Sequence, residues 1–91
     1  MTLDSRVKAS RNTAFSEIRD EIVLVGFESG KYYGLDGVGA RIWRLVQEPR
    51  TLRDVLAALL AEFEVDAAAC ERDLLEFASL LEREKLLATV A

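Results

Sequence analysis

The stretch "GKYYGLDGVGARIW", Gly30 to Trp43, decides the fold of this chain. Its fourteen residues include two tyrosines and four glycines. Up to Leu35 it reads as a short strand, and from Asp36 the apolar residues recur at helical spacing. A strand that halts at Asp36 and turns straight into a helix divides the chain into a β half and an α half.

Upstream, "EIVLVGF" (21–27) is β-branched and apolar enough to be a central strand. "TAFSEIR" (13–19) alternates loosely, with Phe15 and Ile18 expected to face inward, and Arg19-Asp20 forms a tight connection. "ESG" (28–30) offers a glycine-containing hairpin turn into "KYYGL" (31–35). The expectation is a three-stranded antiparallel meander with its first and last strands as edges. The first ten residues read either as a short strand at Val7–Ala9 or as irregular chain.

Downstream, Asp36 is placed to cap a first helix with apolar positions Val38, Ile42, Leu45 and Val46, Trp43 alongside, and Pro49 as its stop. Thr51 and Asp54 form a capping-box-like pair before a stripe of Leu52, Val55, Leu56, Leu59, Leu60 and Phe63. Residues 64–66 make the turn, and Asp66 caps a third helix running to about Leu87. The predicted class is α+β, winged-helix-turn-helix-like, in one domain over 1–91. Its strands lie within 13–35 and its helices within 37–87.

The third helix is unusually broad in its apolar arc. Leu80, Asp73, Phe77, Cys70, Leu81, Leu74, Ala78 and Leu75 follow one another around roughly 220° of its surface. A one-sided amphipathic helix needs only ~100°. One flank must meet the other helices. The border Leu80–Asp73–Phe77 is either covered by the sheet or faces something else.

Composition removes several function classes. Winged-helix folds often place the third helix in a DNA groove, but this helix carries five acids, Glu71, Asp73, Glu76, Glu82 and Glu84, against three bases, Arg72, Arg83 and Lys85. The net charge of −4 also disfavours phosphate contacts, so no nucleic acid is expected. There is no histidine, and Cys70 stands alone, so histidine triads and thiolate zinc clusters are ruled out. Cys70 lies on the apolar face near Glu71 and Asp73, which favours a small core hydrophobe over a nucleophile. The glycine spacing fits neither a dinucleotide fold nor a phosphate loop. No cofactor and no enzymatic activity are expected. No apolar run is long enough to span a membrane, no signal-peptide core is present, and the single cysteine suits a reducing cytoplasm.

What remains is a binding module. "KYYGL" is an edge strand whose outer N–H and C=O groups lack partners, and only Lys31 guards it. An open edge beside an apolar helix flank is what β-strand addition requires: main-chain hydrogen bonds hold an extended peptide and side-chain pockets select it. Tyr33 and Leu35 should share a face with Lys31, and Tyr32 and Gly34 should take the other.

The order of "VLVGFESGKYYGLDGVGARIW" and "TLRDVLAALLAEFEVDAAACERDLLEFASLLEREKLL" resembles the PqqD family of peptide chaperones over about Phe15 to Leu87. The shared features are a strand ending in Leu before an acid- or Asn-led helix with an Ile-Trp pair, a Thr-led second helix, and "D-L-L-x-F-x-x-L" at Asp73–Leu80. Two departures are Asp36-Gly37, where the family more often has Asn-Pro, and Glu84-Lys85, where a glycine often precedes the last leucines. The second departure suggests a longer final helical turn.

The resemblance implies capture of the leader of a ribosomally synthesised precursor peptide as an added strand, between the third strand and third helix. It is most similar to the stand-alone leader-binding proteins of lasso-peptide clusters, whose partners are a leader peptidase and an ATP-dependent cyclase. The quinone-cofactor branch, serving a radical enzyme, is the alternative within the family, and a winged-helix DNA-binding regulator the alternative outside it. The site so implied comprises Lys31, Tyr32, Tyr33, Gly34 and Leu35 on the strand. On the helix, Asp73, Phe77 and Leu80 are anchors alongside Tyr33, with Cys70, Leu74 and Leu81 behind them.

Overall fold

The computed structural model describes residues 1–91. In chain order its elements are β1 (Arg6–Ala9), β2 (Thr13–Ile18), β3 (Glu21–Gly26), β4 (Tyr32–Leu35), α1 (Gly37–Leu45), β5 (Arg50–Thr51), α2 (Leu52–Glu62), α3 (Ala67–Arg83) and β6 (Leu87–Thr89). The class is α+β, with the expected antiparallel sheet β2-β3-β4 and three helices.

β3 is central because Ile22 and Leu24 are both apolar and both fully buried. Arg19-Asp20 closes the first hairpin, with Ile18 opposite Glu21 and Arg19 at φ 60°. The second hairpin turns through Phe27–Lys31. Gly30 takes φ 68° and donates its N–H to Gly26 O at 2.8 Å, a conformation that suits glycine.

The inward pair expected on β2 is corrected. Phe15 and Ile18 are three residues apart, so strand alternation sends them to opposite faces. Phe15 pairs with Leu24 on the inner face and meets the Trp43 ring edge-on, 5.9 Å between centroids. Ile18 points outward and is 60% exposed.

A second sheet, β5-β1-β6, is antiparallel throughout. The short-strand option for the N-terminus is the one realised, and Val7 is fully buried there. The chain after α3 returns to pair with β1, Val7 opposite Thr89.

The third helix is shorter than expected. It ends at Arg83, not near Leu87. Leu86 N–H donates to Leu81 O at 2.8 Å and Lys85 N–H to Glu82 O at 3.0 Å, the paired bonds of a Schellman stop. Lys85 takes φ 62°, occupying the left-handed position where glycine is usual. Buried Leu86 and Leu81 belong to the same core and lock the turn.

Helix starts are capped unequally. Thr51 Oγ1 accepts from Asp54 N–H at 3.1 Å, and Asp66 Oδ2 from Ala69 N–H at 2.9 Å. Asp36 sits at the N-cap of α1 but its side chain accepts no capping bond, contrary to expectation. Gly37, at φ 51°, makes that turn by backbone freedom instead. Trp43 is fully buried at the meeting of α1 and the inner sheet face, whereas Leu60 of the expected α2 stripe is exposed.

Replacing Lys85 with glycine removes a left-handed side chain at little entropic cost, because the position is already a helix stop. Lys85→Gly is expected to raise stability by about 0.5–1 kcal/mol, a few degrees in a thermal melt. A lowered melting temperature would contradict the Schellman assignment.

Candidate functional site

β4 is an edge strand, and its register with β3 sets what it offers. Tyr33 lies opposite Leu24 and Leu35 opposite Ile22, so both face the core, where they are partly buried. Tyr32 lies opposite Val25 on the other face and is 76% exposed. The face assignment agrees with the sequence reading. Gly26 N–H donates to Lys31 O at 3.1 Å. By the alternation of an antiparallel ladder, Tyr33 and Leu35 then bond to β3, and the N–H and C=O of Tyr32 and Gly34 point to the free edge.

α3 stands beyond that edge. Leu74, Ala78 and Leu81 are buried, and the flank formed by Cys70, Asp73, Phe77 and Leu80 is not. Leu80 is 43% exposed, so the sheet does not cover this border. β4 and α3 run in opposite senses, and the residues at their ends come near each other. Lys31 Nζ lies 3.9 Å from Glu84 Oε2. At the other end a Cβ built on Gly39 would sit 3.7 Å from Phe77 Cζ and 4.0 Å from Leu35 Cδ2, which brings strand end, α1 and α3 together.

The charges here are solvated. The Asp73 side chain is 69% exposed and its Oδ1 lies 3.4 Å from Arg72 Nε. Exposed pairs of this kind contribute ~0–1 kcal/mol. Burial, and secondarily the Asp73 carboxylate, push the Cys70 thiol above its ordinary pKa, which keeps it protonated and weakly nucleophilic. The Tyr33 hydroxyl is buried without a hydrogen-bond partner in the protein, a costly arrangement for a phenol.

Next to the edge lies an apolar cleft of about 440 Å³ between α1, the α2–α3 turn and the first half of α3. Val38, Ile42, Phe63 and Val65 line it with Cys70, Asp73, Leu74 and Phe77. The expected site residues therefore fall into two groups. Lys31–Leu35 form the edge and its approach, and Cys70, Asp73, Leu74 and Phe77 border the cleft, while Leu80 is exposed on the helix flank and Leu81 is buried behind it. Val38, Gly39 and Ile42 were missed because their spacing marks a helix face that packs inward. Helical periodicity does not say whether that face is fully covered.

The fold and site define a small α+β protein built on an open strand edge beside an apolar helix flank, an architecture suited to an extended chain. The chain belongs to the PqqD family: the family model described as Coenzyme PQQ synthesis protein D (PqqD) matches residues 21–87. It is similar to the solved structure of TbiB1 in complex with the TbiA(beta) leader peptide. The match has 39% identity and a TM-score of 0.84, and covers 92% of this chain and 98% of that one. A lasso peptide synthetase B1 complexed with the leader peptide shares the fold at 22% identity, TM-score 0.78, over 90% of this chain and 96% of that one. No curated protein matches the chain by sequence.

The two flank residues should separate by burial. Phe77→Ala, half-buried against Leu35 and Gly39, is expected to cost roughly 1–3 kcal/mol of stability, and Leu80→Ala less than ~1 kcal/mol. Urea denaturation of both variants reads the difference. Equal losses would mean that Leu80 is as much a core residue as Phe77.

Proposed function

We propose that this protein captures the leader segment of a ribosomally synthesised precursor peptide by β-strand addition to β4, and presents it to the leader peptidase of lasso-peptide maturation. The observation that carries this reading is the free edge of β4 beside the uncovered Phe77–Leu80 flank, in a chain 39% identical to a protein solved with a leader peptide. The N–H and C=O groups of Tyr32 and Gly34 would hold the peptide backbone. An antiparallel course continues the sheet's own pattern and gives the better ladder. Lys31, Tyr33, Leu35, Phe77 and Leu80 border the peptide, and Cys70, Leu74 and Leu81 support them. The cleft beside Phe77 offers room for an apolar anchor.

The protein acts as an adaptor and carries out no chemistry of its own. It has no histidine, and its one thiol is held protonated. The peptidase, and an ATP-dependent cyclase after it, supply the reactions. The description of the family model favours a second reading, presentation of a quinone-cofactor precursor to a radical enzyme. Similarity to TbiB1 over nearly the full length weighs toward the first.

Asp73 tests the site. Its carboxylate is exposed beside the cleft and free to exchange Arg72 for a donor on the peptide. Asp73→Asn and Asp73→Ala are each expected to weaken binding of the cognate leader, in calorimetric titration, by about five- to thirtyfold, the range of a lost hydrogen bond to a charged group. Thermal stability should stay within a degree or two of wild type, because no buried partner is lost. Wild-type affinity in both variants would remove Asp73 from the site.

A further inference from the structure

At the Lys31 end of β4, segments far apart in the sequence meet. Phe27 N–H donates to Asn12 O at 2.8 Å, and Ser10 N–H donates to Leu86 O at 2.9 Å. A Cβ built on Gly26 would lie 2.9 Å from Leu86 Cδ2. The β3–β4 turn, the loop after β1 and the turn after α3 therefore form one rim. Its charge is opposite to that of the chain. Lys8, Arg11, Lys31, Arg83 and Lys85 gather there against Glu28, Glu82 and Glu84, in a chain with sixteen acids and twelve bases. Glu84 faces Lys31, and Glu82 accepts from the Thr89 hydroxyl at 2.7 Å. Lys8, Arg11, Arg83 and Lys85 are exposed and belong to no ion pair. Lys85 keeps its side chain in a left-handed conformation, φ 62°, where glycine would cost less. Such a backbone cost points to a use for the side chain.

At the other end of β4 the balance reverses. Ile18 pairs with Glu21 and Ile22 with Leu35, so Asp20, Glu21 and Asp36 stand there with only Arg19 among them. β4 thus runs from a basic end to an acidic one. A strand added antiparallel to it begins beside Leu35 and ends beside Lys31. The chain downstream of that strand leaves over the basic rim.

We infer that Arg11, Lys31 and Lys85, flanked by Lys8 and Arg83, bind an acidic stretch of the precursor just downstream of the captured strand. The inference rests on the peptide-capture reading and adds a charge requirement beyond the strand edge. Carboxylates on the downstream chain meet cations, whereas carboxylates at the upstream end meet acids. The rim therefore favours one direction of the peptide over its reverse. Each exposed pair is weak and screened by salt, so the cations act as a set.

The test uses the full chain and the cognate leader, synthesised with a short C-terminal tail of glutamates, of serines or of lysines. At low salt the glutamate tail is expected to bind about three- to tenfold more tightly than the serine tail, and the lysine tail more weakly; high salt erases the ranking. In the double variant Arg11→Glu, Lys85→Gly the glutamate advantage disappears. The serine-tailed leader keeps its wild-type affinity there, and the melting temperature does not fall. Equal affinity for the three tails in the wild type, or a glutamate advantage that survives in the variant, overturns the inference. So does an equal gain from glutamates placed at the leader's N-terminus, which would make the attraction indifferent to direction. A single-stranded oligonucleotide that binds the wild type but not the variant, with the tails indistinguishable, would assign the rim to nucleic acid and also overturn it. Leader binding that ignores the tails leaves the capture reading standing; if no form of the leader binds the wild type, the capture reading fails and this inference falls with it.

Discussion

The pairing of β3 with β4, Leu24 opposite Tyr33 and Ile22 opposite Leu35, is the constraint on which the rest of the structure depends. A slip of one residue would turn Tyr33 and Leu35 to solvent and bring Tyr32 and Gly34 to the core. Burial of Ile22 and Leu24 against the helices forbids it. Because the register is fixed, the backbone groups of Tyr32 and Gly34 are fixed at the free edge, and Leu35 is fixed against the Gly39–Phe77 contact. The edge is thus held open by the same packing that stabilises the fold.

The neighbourhood of that edge is apolar with charges only at its borders. Lys31–Glu84 and Arg72–Asp73 are exposed pairs, which salt screens and which add little to stability. On the proposed site, selectivity would come from fit into the cleft beside Phe77 and from the strand ladder, more than from long-range attraction. The buried, unpartnered Tyr33 hydroxyl adds a polar group whose cost a hydrogen-bonding ligand could relieve. A preformed edge also lowers the ordering cost of binding, since only the peptide must become extended.

The sequence made legible those parts whose signals are local. Alternation in β3, the turn at Arg19-Asp20, and the caps at Thr51 and Asp66 each depend on residues a few positions apart. The second sheet was not legible, because Val7 pairs with Thr89 and Arg6 with Thr51, far along the chain, through strands of two to four residues. The end of α3 was misread because Lys85 adopts a conformation that points to glycine in most sequences. The apolar arc of α3 was legible, but periodicity could not say which flank stays open; the exposure of Leu80 does. The cleft was hidden for the same reason, since Val38 and Ile42 look alike whether they face a neighbour or a gap.

Amide hydrogen exchange resolved residue by residue, with and without the cognate leader, tests the central claim most directly. The account predicts that leader slows exchange at Tyr32 and Gly34, whose N–H groups face the free edge. Tyr33 and Leu35, already bonded to β3, should change far less. New protection confined to β2, or to the solvated face of α3 around Glu76 and Ser79, would contradict strand addition at β4.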